Sequence, residues 1–161
     1  MTALLDQIRE LIVSLLPRLR RFARALTRNV PDADDLVQLA VERALLRHEQ
    51  WIPGTRFESW MFGILRNAWI DEVRSRRRRG QVLAPEESGE NVGDDSSEAH
   101  TTLLAVHGAM EQLPDEQRLA VALVLVEGLS YKEAAEVLEV PMGTLTSRLA
   151  RGRETLQRLL Q

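Results

Sequence analysis

The chain has 161 residues, 44% hydrophobic and 4% aromatic, with a formal net charge of -3, which describes an ordinary soluble chain of one domain or two small ones. It contains no cysteine, which excludes a disulfide framework or thiolate metal site, and His48, His100 and His107 form no ligand-spaced cluster, so neither metal nor cofactor is expected. The N-terminal stretch carries acids before its apolar residues and lacks a small-residue cleavage site, and no apolar run approaches the roughly 20 residues that cross a bilayer; a cytoplasmic protein without membrane insertion is expected.

No segment alternates with period two over strand length, whereas apolar residues recur at three- and four-residue spacing, which predicts an all-α chain. In the first half, helices are expected over about 3–16, 17–28, 33–48 and 56–78, with Pro17 suiting a first helical turn and Pro31-Asp32 opening the third. In the second half they are expected over about 101–112, 115–127, 131–139 and 142–159. Asp115 is the expected cap after Pro114, Gly128 a stop, and Ser130 with Glu133 a capping box.

Charge is distributed unevenly along the chain. Residues 1–79 hold 15 Lys+Arg against 10 Asp+Glu, residues 80–100 hold six acids and no Lys or Arg, and residues 101–161 hold 6 against 8. An acidic total therefore does not exclude nucleic acid, because binding depends on a local basic footprint. The middle stretch "GQVLAPEESGENVGDDSSEAH" has too little apolar surface to offset the entropy of ordering it and is expected to be a flexible acidic linker. It separates two small helical domains, 1–79 and 101–161. As a coil it would average roughly 25 Å end to end, and about 70 Å fully stretched.

The last helix answers to a wheel of 100° per residue. Leu145, Leu149, Gly152 and Leu156 form an inward face. Opposite them lie Ser147, Ala150, Arg151 and Glu154, with Thr146 to one side and Arg148 and Arg153 on the shoulders. Small and hydrogen-bonding residues flanked by guanidinium groups suit a helix that enters a DNA groove, the arginines holding phosphates. The short helix from Tyr131 and a turn holding Pro141 and Gly143 complete a helix-turn-helix. An arginine-bearing outer face is also what simple solvation would produce.

A second basic surface closes the first half in "RFESWMFGILRNAWIDEVRSRRRR". Phe57, Met61, Ile64, Leu65 and Ala68 make the inward stripe, and Arg66, Ile70, Arg74 and Arg77 recur on the far side. Arginines at a helix C-terminus also complement its dipole. Trp60 and Trp69 are placed either to stack on unpaired bases or to fill the core.

Together "DADDLVQLAVERAL", "RFESWMFGILRNAWIDEVRSRRRR" and "LPDEQRLAVALVLVEGLSYKEAAEVLEVPMGTLTSRLARGRETL" resemble regions two and four of a bacterial RNA polymerase sigma factor of the small extracytoplasmic-function group. The resemblance covers nearly everything except the linker and the first few residues. It implies a partner, core RNA polymerase, docked through Asp35, Leu36 and Gln38, although Leu39 stands where the family usually has an acid. It implies minus-ten promoter recognition by the first domain through Arg56, Trp60, Arg66, Asn67, Arg74 and Arg77, with a base drawn out of the non-template strand. It implies minus-thirty-five recognition by the last helix through Thr144, Thr146, Ser147, Arg148, Ala150 and Arg151. Thr146 and Ala150 depart from the larger residues often found there, and Gly152 from the usual alanine, which should weaken the helix by about 1 kcal/mol.

The two promoter elements lie roughly 70 Å apart, within reach of the stretched linker, whose acids resemble the family's channel-threading segment. The resemblance also implies an anti-sigma factor, no small-molecule substrate and no catalysis of its own. Asp32, Asp34 and Asp35 show no calcium-loop spacing, and no nucleophile, metal cluster or Gly-rich phosphate loop supports an enzyme. Two other classes fit less well: a helix-turn-helix repressor, for which no dimerisation heptad is present, and a sigma-mimicking decoy, in which the arginine surfaces would have no task.

Overall fold

The computed structural model describes residues 2–80 and 98–161, and among these all regular structure is helical. Of the linker expected at 80–100, residues 81–97 lie outside the described residues, and its last three residues belong instead to a helix that begins at Glu98.

α1 runs unbroken over Thr2–Leu26 and carries Pro17 inside it, where two helices were expected. The buried residues Ile8, Ile12, Leu15, Leu19, Phe22, Ala23 and Leu26 form one stripe that crosses the proline without changing phase. Burial of each such side chain contributes about 1.5 to 3 kcal/mol, so a continuous stripe outweighs the one backbone hydrogen bond that Pro17 cannot donate. Pro17 itself is exposed, its ring outside the packing.

α2 (Val30–Leu46) starts earlier than expected because Asn29 caps it, its side chain accepting from the Asp32 amide at 2.8 Å. α3 (Phe57–Arg78) follows a single 3-10 turn and buries Phe57, Met61, Ile64, Leu65 and Ala68, the expected stripe, together with Phe62 and Trp69. Phe22 meets Phe62 edge-on with centroids 5.3 Å apart, and Trp51 meets Phe57 in the same way at 5.3 Å. These T-shaped pairs lock α1 and the α2–α3 connection onto α3.

In the second half α4 (Glu98–Gln112), α5 (Asp115–Val121), α6 (Tyr131–Leu138) and α7 (Met142–Leu160) surround Leu119, Leu123, Leu138, Leu145 and Leu149. Asp115 does not cap α5 through its side chain; Pro114 occupies the cap position, and the Asp115 carboxylate accepts from Arg77 at 2.8 Å. The expected continuous helix to residue 127 widens at Ala122–Val126 into a π turn, closed by Glu127 N–H donating to Ala122 O at 3.0 Å. Gly128, at φ +74, ends it, a conformation that suits glycine because it lacks Cβ. The Ser130–Glu133 capping box is present in both directions, at 2.9 and 3.1 Å. Gly143 lies inside α7, and the left-handed turn residue is Glu139, at φ 56.

The two halves are not apart. Their buried side chains form one continuous apolar cluster, and polar contacts knit its rim. Arg118 of α5 donates to Leu26 O at 3.1 Å, and the His107 ring nitrogen Nε2 lies 2.9 Å from Arg24 O and 3.0 Å from Thr27 O.

Candidate nucleic-acid interface

The outer face of α7 is as its periodicity predicts. Leu145, Leu149 and Gly152 are buried, Leu156 is half-buried, and Thr146, Ser147, Ala150 and Arg151 are all exposed. Thr146 Oγ1 donates back to Met142 O at 2.8 Å, which occupies its proton and leaves its methyl group and oxygen lone pairs outward. Thr144 is half-buried, and Arg148 lies 3.6 Å from Glu116. α6 and α7 form the expected helix-turn-helix, with the capping box fixing where α6 begins and Pro141 preceding α7.

Gly152 has a reason beyond helix propensity. A Cβ at this position would sit 2.7 Å from Val121 Cγ2 and 3.5 Å from Gln117 Cβ and O. The crossing of α5 and α7 is close because this position carries no side chain.

The second basic surface is also built, but in a different environment from the one its sequence suggests. Arg74 is exposed, while the other arginines of the expected minus-ten set meet acids from the second half. Arg56 Nε lies 2.7 Å from Glu133, Arg66 Nη1 lies 3.7 Å from Glu139, and Arg77 Nη2 lies 2.8 Å from Asp115. Asn67 is exposed, its carboxamide oxygen accepting from Arg66 at 2.9 Å. Trp60 is half-buried against Phe57, with centroids 5.6 Å apart. Trp69 belongs to the core, 5% exposed, with the Arg118 guanidinium 5.8 Å from its ring centroid; of the two uses open to it, packing is the one found here.

The residues of the expected polymerase-docking surface divide. Asp35 and Gln38 are exposed on α2, whereas the Leu36 side chain turns into the core at 5% exposure. Asp35 and Leu36 border a cleft of about 530 Å³ between α2, α3 and α5, whose walls include Trp69, Arg76, Arg77 and Arg118. Among the described residues, no group of acids and histidines is placed to hold a metal ion, and no helix is long and apolar enough to cross a membrane.

Sequence reasoning missed Glu127. It is the one buried charged residue among those described, and its carboxylate is fully enclosed. Arg21 donates to it from Nε at 2.8 Å and from Nη2 at 2.9 Å, and Arg18 Nε lies 3.3 Å away. The hydrogen bond and charge of Glu127 raise the Arg21 guanidinium above its ordinary value. The available signal was a single acid inside the apolar run "LVLVEGL", which has to find a cation when that run is buried.

Comparison with known proteins agrees with this geometry. The Sigma-70 region 2 family matches residues 11–79, and the Sigma-70 region 4 family matches residues 103–156. The ECF RNA polymerase sigma factor EcfG of Rhodopseudomonas palustris is 36% identical over 157 residues, covering 98% of this chain and 87% of that protein. SigE of Mycolicibacterium smegmatis is also 36% identical, over 92% of this chain, which spans 59% of that relative's length. Among solved structures, the sigma factor RpoE in complex with the anti-sigma factor NepR from Bartonella quintana superposes with a TM-score of 0.79 at 29% identity, covering 96% of this chain and 97% of RpoE. CnrH in complex with the cytosolic domain of CnrY superposes at 0.73 with 25% identity, covering 98% of this chain and 95% of the other. Two family regions in order, a relative aligned nearly end to end and a helix-turn-helix with its predicted outer face exposed lead to one conclusion: the chain belongs to the extracytoplasmic-function RNA polymerase sigma factors.

Proposed function

We propose that this protein binds core RNA polymerase, directs it to promoters and aids their opening, acting in the cytoplasm and catalysing no covalent chemistry itself. Residues 1–79 dock on polymerase through α2, with Asp35 as the charged partner and Gln38 beside it, and read the minus-ten element through α3. Asn67 approaches the bases there, and Arg56, Arg66, Arg74 and Arg77 hold the backbone, with the half-buried Trp60 beside them. Residues 101–161 read the minus-thirty-five element through Thr144, Thr146, Ser147, Arg148, Ala150 and Arg151, and residues 80–100 connect the two. Control by an anti-sigma factor is supported by the likeness to RpoE and CnrH, both solved with a bound partner.

The observation that carries the reading is the sidedness of α7: Thr146, Ser147, Ala150 and Arg151 are exposed, Thr144 and Arg148 are half-buried at the edges of that face, and the opposite face is buried against α5. Extruding a base costs a few kcal/mol, so opening should need the polymerase as well as this chain. Run-off transcription with purified core enzyme and a genomic fragment library tests the proposal. Discrete products that depend on the protein are expected, and their absence would remove it.

A further inference from the structure

The outer face of α7 carries two rows of side chains at four-residue intervals. Ser147 and Arg151 form one, and Met142, Thr146 and Ala150 form the other, all five of them exposed. The second row is largely apolar. Met142 is 49% exposed, and Ala150 offers only a methyl group. Thr146 has its hydroxyl proton committed within the helix, Oγ1 donating to Met142 O at 2.8 Å, so what it turns outward is a methyl group and acceptor lone pairs. Such a row cannot hold a phosphate, whose oxygens require donors.

We infer that Thr146 and Ala150 are thymine-methyl readers, so that α7 selects A·T pairs at two places in the minus-thirty-five element. The inference deepens the sigma-factor reading and rests on it, since the row reads bases only if α7 occupies a promoter groove. The major-groove edge of an A·T pair carries the thymine C5-methyl group together with the adenine N6 amino donor, whereas a G·C pair carries an amino donor and no methyl group. Thr146 matches both features of the A·T edge, its methyl group against the thymine methyl and its lone pairs towards the amino group. Ala150 matches the methyl group alone. Four residues of helix rise about 6 Å against about 3.4 Å per base pair, which puts the two contacts one to two base pairs apart.

The neighbouring side chains bound the row. Glu154 follows Ala150 in it and is exposed; its carboxylate is repelled by DNA phosphates, so reading ends at Ala150 and the N-terminal turns of α7 are the ones that enter the groove, as in other recognition helices. Arg148 is held to the side, 3.6 Å from Glu116, and Arg151 in the other row is left to reach a guanine edge or the backbone. The departures at Thr146 and Ala150 thus have a chemical consequence: a basic residue in the row would donate to the DNA, and these two can only pack or accept.

The test uses the full chain with core polymerase and a promoter found by run-off. Each thymine of its minus-thirty-five element, on either strand, is replaced in turn by deoxyuridine, which keeps the base pair and removes only the methyl group. Wild-type binding should weaken about fourfold at two thymines, the weight of one buried methyl group, and be unchanged at the others. Thr146→Ser should abolish the response at one of the two and Ala150→Gly at the other. At the thymine assigned to Thr146, 2-aminopurine in place of the paired adenine moves the amino group out of the major groove; it should weaken the wild type and leave Thr146→Val unaffected. All three variants should associate with core enzyme as the wild type does, and Thr146→Ser decides alone if Ala150→Gly fails to fold. A wild type indifferent to every deoxyuridine, or a response that persists unchanged in Thr146→Ser, overturns the methyl reading while leaving α7 in the groove. A wild-type chain that yields no run-off product removes the promoter reading itself.

Discussion

Val121 and Gly152 meet where α5 crosses α7, and a methyl group on the glycine would lie 2.7 Å from Val121 Cγ2. That separation decides between two opposed effects. Alanine gains about 1 kcal/mol over glycine in a helix interior, but overpacking a filled core costs about 1 to 3 kcal/mol. Val121 is β-branched and buried, so it cannot swing aside easily. Gly152→Ala should therefore destabilise the protein by about 1 kcal/mol in urea unfolding. In a Val121→Ala background the same substitution should become stabilising, and a loss of similar size in both backgrounds would show that the contact is not the cause.

The two proposed binding surfaces are separable. Arg151→Ala should weaken promoter binding by about 1 to 3 kcal/mol while leaving association with core polymerase unchanged, and Asp35→Arg should do the reverse. Measuring both affinities for both variants checks this; equal loss of both activities in each variant contradicts the assignment.

Arg118 is a structural arginine. It donates to the carbonyls of Leu26, Glu111 and Leu113 at 3.1, 2.9 and 3.0 Å and lies over Trp69. Burial pushes its guanidinium below its ordinary value, against the pull of Asp115 and Glu111. Arg118→Ala leaves the acceptors without this donor and should cost about 3 kcal/mol. Arg118→Lys should recover less than half of that, because an ammonium cannot reproduce the planar fork. Denaturant midpoints for the two variants give the comparison.

Much of this chain can be read from its residues, and the failures have physical causes. The outer face of α7 was legible because a helix with one buried stripe leaves the opposite residues nowhere else to go. The break expected at Pro17 does not occur because the apolar stripe continues in phase on both sides of it. Asp115 has the right residue type and place for a cap, but a tertiary partner, Arg77, competes for its carboxylate. The joining of the halves was not legible: Arg21 and Glu127 are 106 residues apart, and nothing local marks two such side chains as partners. The same applies to the arginines of α3, whose spacing announces a basic surface but not the acids that pair with Arg66 and Arg77.

The capping box supplies a pH dependence. The Ser130 backbone N–H, with its hydroxyl and then Arg56, holds the Glu133 carboxyl below the usual carboxylate range, against the opposing effect of burial. A folded-state value below the unfolded one means that the stabilisation is full above the unfolded value of about 4.3 and is lost as pH falls through the folded value. The stability difference between the wild type and Glu133→Gln should therefore be present at neutral pH and shrink towards zero in acid, as unfolding curves at both extremes would reveal. A difference that stays constant across the range would assign the effect to shape and not to charge.

The π turn at Ala122–Val126 also has a developmental logic for the molecule. Had ordinary α-helical spacing continued, the Glu127 amide would pair with Leu123 O; instead that carbonyl accepts from Leu129 at 3.0 Å, and the chain carries one surplus residue in this turn. The surplus acts as a phase offset between everything before and after it, leaving Leu125 and Val126 partly in solvent while aiming an acid at α1. Deleting a single residue there would keep the composition of the segment almost intact yet point the helix-turn-helix in another direction, so the mutual aim of the two halves is stored in one backbone irregularity.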